Sequence, residues 1–230
     1  IEGMRGERID LIVTGPMHTP VKAHYGYLKD SNTAVMEMAS AAGITLVSDD
    51  AKDPLLATSY GVGEMINHAL QKGCRNFIIG IGGSATNDGG IGMLQALGFD
   101  LLDQEGVPVR HGALGLKDLA VISDSHALPE LKECTFRIAC DVTNPLCGSQ
   151  GCSAVFGPQK GADPAMIQQM DQWLSSYAAL AGKSFPKTNP AHAGAGAAGG
   201  LGFAFLTFFH ATLESGVNII LEETHLSDYI

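Results

Sequence analysis

The stretch from Phe77 to Gly92, Phe-Ile-Ile-Gly-Ile-Gly-Gly-Ser-Ala-Thr-Asn-Asp-Gly-Gly-Ile-Gly, constrains this chain more than any other. Phe77, Ile78 and Ile79 form the short apolar run of a buried strand. Gly80, Gly82 and Gly83 end it by permitting backbone angles and close approaches that a Cβ forbids. Ser84, Thr86, Asn87 and Asp88 follow as a dense polar group, and Met93, Leu94, Ala96 and Leu97 mark the buried face of a helix starting near Gly90. Such a strand-to-helix turn offers free backbone N–H groups in the positive field of a helix N-terminus, a setting that holds anions and most often phosphate.

The residues alone leave the ligand open. Gly80-Ile-Gly82-Gly-Ser-Ala85 satisfies the loose dinucleotide pattern G-x-G-x-x-A, with Asp100 downstream for a ribose. Asn87-Asp88-Gly89-Gly90 would break the first turns of the helix that this pattern needs. No Gly-Lys-Ser/Thr follows, so the loop is not a Walker A loop. A tight turn with capping Ser and Asp side chains is the plainer alternative, but the hydroxyls, amide and carboxylate exceed what capping needs.

Around this stretch the chain reads as α/β. Residues 1–38 alternate in period two (Ile9, Leu11, Val13; then Val21, Ala23, Tyr25; then Thr33–Met38), which predicts an antiparallel meander with one wet face. Glu37 interrupts the third segment, as an exposed residue or as a functional carboxylate. Ala39–Ala42 is a helical turn stopped by Gly43. Met65–Lys72 is a helix closed by Gly73, with Thr58 and Ser59 as its caps. Phe99–Leu102 and Val107–Val109 read as a hairpin about Asp103–Gly106. Leu116–Ile122 is an apolar turn, and His111 and His126 are surface histidines without a partner at metal spacing. Thr135–Cys140 is a strand that delivers Asp141 at its carboxyl end, where open α/β sheets gather ligands. Asp163 and Pro164 open an amphipathic helix to about Ala181. Gly194–Gly199 matches G-x-G-x-x-G without a preceding strand, so it reads as a small-residue loop that lets the helix Leu201–His210 pack closely or a ligand approach. Val217–Leu221 is an apolar segment and Glu222–Ile230 begins a last helix.

Gly-Gly-Ser-Ala-Thr-Asn-Asp-Gly-Gly followed by Gly92-Met-Leu-Gln-Ala-Leu-Gly98 closely resembles the bacterial glycerate kinase family, which transfers phosphate from ATP to D-glycerate. Ala139-Cys-Asp-Val-Thr-Asn-Pro145, Val155-Phe-Gly-Pro-Gln-Lys-Gly161 and Gly194-Ala-Gly-Ala-Ala-Gly-Gly200 agree with it, and the resemblance runs from about Val13 to the end. It implies a substrate-side α/β domain of residues 1–230 with a mixed sheet, an antiparallel N-terminal portion and covering helices. In the family this domain is inserted in a nucleotide-type domain. The flanking segments bear a lysine loop, an Asp-Gly-Gly-Glu-Gly motif and a Gly-Glu-Gly loop that this sequence lacks. The 230 residues are therefore expected to fold but not to phosphorylate glycerate by themselves.

The roles follow from residue type. Gly82, Gly83, Ser84, Thr86 and Asn87 would grip the carboxylate or the transferring phosphate. Asp88 or Asp141 would take or orient the hydroxyl proton, with Mg²⁺ assigned to Asp141. Lys160 would offset developing charge as a mobile point charge. The resemblance places Glu37 near the cleft as a secondary substrate contact. ATP and Mg²⁺ are the expected cofactors. A nicotinamide oxidoreductase or a non-catalytic small-anion binding module are the alternatives.

Composition bounds the partners. The net charge of −10 argues against nucleic acid and anionic membranes, so an anionic substrate must be drawn in by local groups. No apolar run approaches the ~20 residues of a membrane span, and the first residues lack the apolar centre of a signal peptide. Cys74, Cys134, Cys140, Cys147 and Cys152 are odd in number and form no Cys-x-x-Cys pair, which suits reduced thiols in the cytoplasm. A homo-oligomer is possible.

Overall fold

Period-two alternation sets the first part of the chain into strands: β1 (Glu7–Thr14), β2 (Pro20–Leu28) and β3 (Thr33–Glu37). The structure, a computed structural model, describes residues 6–223. β1 and β2 run antiparallel with Ile9 opposite Tyr25 and Val13 opposite Val21, and β2 pairs β3 antiparallel with Tyr25 opposite Met36. The one-residue alternation therefore puts Ile9, Val13, Ala23, Tyr25 and Met36 into the core.

From β3 onwards the ladder turns parallel. β3 pairs β4 (Asn76–Gly80), β4 pairs β7 (Thr135–Ala139), and β7 pairs β8 (Ala211–Glu214). The sheet order is β1-β2-β3-β4-β7-β8. It is the mixed α/β sheet with an antiparallel N-terminal portion that the sequence predicts. Between these strands lie α1 (Ala39–Ala42), α2 (Tyr60–Gln71), α3 (Ile91–Ala96) and α4 (Ala113–Asp118). After β7 come α5 (Cys152–Phe156), α6 (Pro164–Ala181), α7 (Ala197–Phe208) and, beyond β8, α8 (Gly216–Glu223). Parallel neighbours need crossovers, and these helices supply them.

One continuous apolar core joins the sheet to α2, α3, α6 and α7. Phe77 stacks on Phe136 across β4 and β7 at 4.8 Å, and Phe136 meets Phe205 and Phe209 from the end of α7 at 5.8 and 5.2 Å. Asp163 caps α6 as expected, its Oδ1 accepting the Met166 N–H at 2.8 Å with Pro164 in the first turn. Arg137 on β7 donates to Glu214 (2.6 Å) and to Glu222 and Glu223 of α8, which ties that helix to the sheet. Among the described residues no helix is long and apolar enough to cross a membrane, and all five cysteines are unpaired.

Several local expectations change. α2 starts at Tyr60, ahead of Met65, because Gly61 and Gly63 let its first turn touch other backbone: a Cβ on them would lie 2.1 Å from the Thr14 carbonyl and 2.5 Å from that of Met93. The hairpin about Asp103–Gly106 closes with two backbone bonds, Asp103 to Val107 and Val109 to Leu101, both 2.9 Å. The true ladder partner of β5 (Asp100–Leu102) is β6 (Val121–Ser123). Pro108 cannot donate to a ladder, so the second arm does not propagate. The apolar turn expected at Leu116–Ile122 is split between α4 and β6. His111 is half-buried, stacked between Tyr60 at 4.7 Å and His18 at 5.5 Å, and burial lowers its pKa; His126 is exposed as expected, paired with Asp100 at 2.8 Å. The expected Val217–Leu221 segment belongs to α8, which begins before Glu222; residues 224–230 of the expected last helix lie outside the described residues.

Candidate functional site

The three loops that leave the carboxyl ends of β4 and β7 and enter α7 meet at one end of the sheet. Together with the turn after α5 they enclose a cleft of ≈ 220 Å³. Gly82, Gly83 and Ser84 of the first loop, Asp141 and Val142 of the second, Lys160, and Ala197 with Ala198 all line it. Five of the residues singled out from sequence, Gly82, Gly83, Ser84, Asp141 and Lys160, thus converge although they come from distant positions.

The glycines of the first loop differ in why they carry no side chain. Gly83 is left-handed (φ 69°) and Gly80 has the Glu37 carboxylate where its Cβ would be, at 2.3 Å. Gly82 has neither constraint: a Cβ there would meet nothing within 4 Å and would project into open cleft. Among the described residues the amides of Gly82, Gly83 and Ser84 donate to no acceptor, whereas those of Ile81 and Ala85 on either side donate to the Ala139 and Ala42 carbonyls. Three adjacent free N–H groups beside an unfilled Cβ position suit an anionic oxygen.

Asp141 is exposed. Its Oδ1 accepts from Ser215 Oγ (3.0 Å) and from the Gly216 N–H at the start of α8 (3.1 Å), and its Oδ2 accepts no hydrogen bond from the described residues. That oxygen is available to a ligand. Asp88, by contrast, is fully buried and set behind the loop. Its Oδ1 accepts the Gly90 N–H at 3.0 Å; its Oδ2 accepts Ser59 N–H and Ser59 Oγ–H, each at 2.8 Å, and the Gly92 N–H at 3.4 Å. Burial raises its pKa, and these donors offset part of that rise.

Ser59 therefore does not cap its own helix, as the sequence suggested. It spends its hydroxyl on Asp88 and accepts the Met93 N–H at 3.0 Å, while Thr58 Oγ1 accepts Tyr60 N–H at 3.1 Å. A Thr-Ser pair before a helix carries the same signature whether it caps locally or reaches across to another loop.

Lys160 departs from the mobile point charge expected of it. Only 2% of it is exposed, and its Nζ donates to Ser84 Oγ at 2.9 Å and to the Thr86 carbonyl at 2.6 Å. Burial lowers its pKa to about 8. Thr86 and Asn87 lie in the same buried layer, not in the cleft: Asn87 Nδ2 donates to Ser153 Oγ at 2.8 Å, and Thr86 Oγ1 and Asn87 Oδ1 have no partner among the described residues. Glu37 is exposed at the end of β3 and lies against Gly80, on the flank of the cleft.

The Gly194–Gly200 segment turns out to be the wedge behind the first loop. Ala198, Gly199 and Gly200 are all left-handed (φ 51, 65 and 93°), a run that interrupts α7 near its start. A Cβ on Gly199 would lie 2.1 Å from the Thr86 carbonyl, and the Gly89 N–H donates to the Gly199 carbonyl at 2.9 Å. Ala198 is a non-glycine residue in the left-handed region and it lines the cleft, the kind of strain that clusters at functional sites. Its glycines made this segment visible in the sequence. Cys140, Phe156, Gln159 and Ala197 also line the cleft; they lie within the motifs shared with the family, but their residue types alone would suit an ordinary core or surface.

This arrangement can be set beside known proteins. The sequence pattern of the Glycerate kinase family matches residues 1–230. The chain belongs to that family. It is 46% identical over 230 residues to a glycerate kinase of Haemophilus influenzae, covering all of this chain and 61% of that protein. It is 49% identical over 218 residues to a glycerate 2-kinase of Escherichia coli, covering 95% of this chain and 57% of the relative. A crystal structure of a protein assigned as glycerate kinase 2 from Salmonella typhimurium LT2 superposes with a TM-score of 0.96 at 47% identity, over 99% of this chain and 61% of that one. The chain thus spans about 60% of the length of the relatives it matches.

Proposed function

We propose that these residues form the acceptor-side wall of an ATP-dependent kinase that phosphorylates D-glycerate to 2-phosphoglycerate, as the inserted domain of a two-domain enzyme. The observation that carries this reading is one cleft lined both by the amide run Gly82–Ser84 and by Asp141, neither the three amides nor Asp141 Oδ2 having a hydrogen-bond partner among the described residues. Kinship with glycerate kinases supplies the substrate class. A cleft of ≈ 220 Å³ suits a three-carbon acid and falls below the roughly 300–1,000 Å³ of sites for larger ligands, a nucleotide among them.

In this reading the amides hold the glycerate carboxylate, or the phosphoryl oxygens as charge develops on them. Asp141 faces the acceptor hydroxyl and orients it. Mg²⁺ commonly takes one or two carboxylates and completes its shell with phosphate and water; a single cleft carboxylate fits that habit, so Asp141 would be its protein ligand. The metal would offset charge on the transferring phosphate. Lys160 acts from beneath: its ammonium fixes Ser84 and the Thr86 carbonyl and lends positive potential to the loop without contacting substrate. Asp88, with both oxygens engaged by donors, holds the loop against α2 and α3 and takes no part in proton transfer.

The test is a coupled ADP-release assay on the full-length gene product with D-glycerate, ATP and Mg²⁺, beside calorimetric titration of the 230-residue chain with D-glycerate. Turnover by the former is expected, with KM within the usual range of about 1 μM–1 mM, and glycerate binding without turnover by the latter. NADH binding with no glycerate-dependent ADP release would overturn the reading in favour of an oxidoreductase. Glycerate binding without turnover by the full-length product would leave an anion-binding module.

A further inference from the structure

At the far end of α7 from the cleft, beside the amino ends of the parallel strands, lies a second cavity of ≈ 210 Å³. Its walls are apolar and largely aromatic: Phe99, Phe208 and Phe209 meet edge to face at 5.7 and 5.8 Å, and Leu128 and Leu131 complete them. Thr207, in the last turn of α7, is among its lining residues; it is 4% exposed, and its hydroxyl is buried with no hydrogen-bond partner among the described residues. A buried hydroxyl left unpaired costs stability, and a helical threonine would ordinarily bond a carbonyl one turn back.

The rim has the opposite charge to the rest of the molecule. In a chain of net charge −10, Lys132, Lys187 and His210 stand at this mouth against one carboxylate, Asp124. Neither lysine forms a salt bridge among the described residues, and Lys187 Nζ lies 3.2 Å from His210 Nδ1, a cation drawn towards a ring nitrogen rather than an acid. An apolar floor and a basic rim suit an amphipathic anion.

We propose that this cavity binds a small organic anion with an aromatic or branched apolar body, its carboxylate at the rim lysines Lys132 and Lys187. The site uses no residue of the cleft, so its occupancy is independent of the kinase reading.

Isothermal titration of the full-length gene product, with saturating D-glycerate present to block the cleft, tests it. Phenylacetate is the probe; benzylamine, with the same body and opposite charge, and inorganic phosphate, with charge alone, are the controls. Phenylacetate should bind and both controls should bind at least tenfold more weakly. The double variant Lys132→Met with Lys187→Met should weaken phenylacetate roughly tenfold. Lys187→Met should weaken it about threefold, as an exposed rim charge does. A Tm within about 1 °C of the parent in both variants separates loss of ligand contact from a packing defect. Equal binding of benzylamine, no phenylacetate binding, or affinity unmoved in both variants would each overturn the proposal.

Discussion

Two loops leave neighbouring parallel strands at the same end of the sheet, and each carries an aspartate, yet the structure treats them oppositely. The loop after β4 turns inward from Ser84: Thr86, Asn87 and Asp88 are all fully buried, wedged by Gly199 and held from below by Lys160. The loop after β7 stays outside, with Asp141, Val142 and Thr143 exposed and one Asp141 oxygen without a hydrogen-bond partner among the described residues. Asp88 has donors on both oxygens and no solvent to reach it, whereas Asp141 keeps an oxygen open to a ligand. The polar density that draws attention to the first loop thus serves mainly to support it, and what it offers a ligand is backbone.

The sharpest way to break this contrast is Asp141→Asn in the full-length enzyme. A loss of kcat of about 10²–10⁴-fold is expected if the carboxylate serves the acceptor hydroxyl, with a melting temperature near that of the parent. The same variant should need more Mg²⁺ for half activity if Asp141 also ligates the metal; an unchanged metal titration would remove that role alone. Asp88→Asn should do the reverse. Its amide would turn a donor towards donors already converging there, so a stability loss of roughly 3 kcal/mol is expected in a denaturant titration, with whatever folds keeping substantial turnover. A well-folded but inactive Asp88→Asn protein would return Asp88 to the chemistry.

Lys160 sharpens the comparison through pH. Its folded pKa of about 8 lies below the ordinary lysine value of 10.5. Between those two values the unfolded chain binds the proton more readily than the folded one, so its contribution to stability rises with pH across that window and is least favourable below pH 8. Melting of the parent relative to Lys160→Met should therefore improve from pH 7.5 to 10; a flat difference would mean that Lys160 keeps its proton throughout. The smallest effect is reserved for Gly82→Ala. With open space at its Cβ, stability should change by less than about 1 kcal/mol, whereas KM for D-glycerate should rise several-fold if the amides beside it hold the substrate. Unchanged KM would place the anion elsewhere.

Much of this was legible beforehand because it rests on local chemistry. Period-two alternation predicted the β1–β3 meander, the Phe77–Ile79 run predicted β4, and Asp163-Pro164 placed the start of α6. Motif likeness led to the family that the comparisons then matched. An error fell where one residue type serves two environments: Ser59 reads as a helix cap and is a cross-loop clamp on Asp88; the hairpin arm Val107–Val109 forms but pairs β5 at Pro108 alone.

What the sequence by itself determined is the list of actors: the strand-turn-helix order, the glycines, and the polar residues available to a site. Only the tertiary structure decided which of two similar aspartates faces solvent. Burial and the count of donors around a carboxylate are set by elements distant in the chain: Ser59, 29 positions from Asp88, and Gly216, 75 positions from Asp141. No local pattern encodes such distances. The desolvation that lowers the pKa of Lys160, and the free amides of Gly82 to Ser84, arise only when β4, β7, α5 and α7 close around one another and exclude water from one side of the loop while leaving the other open.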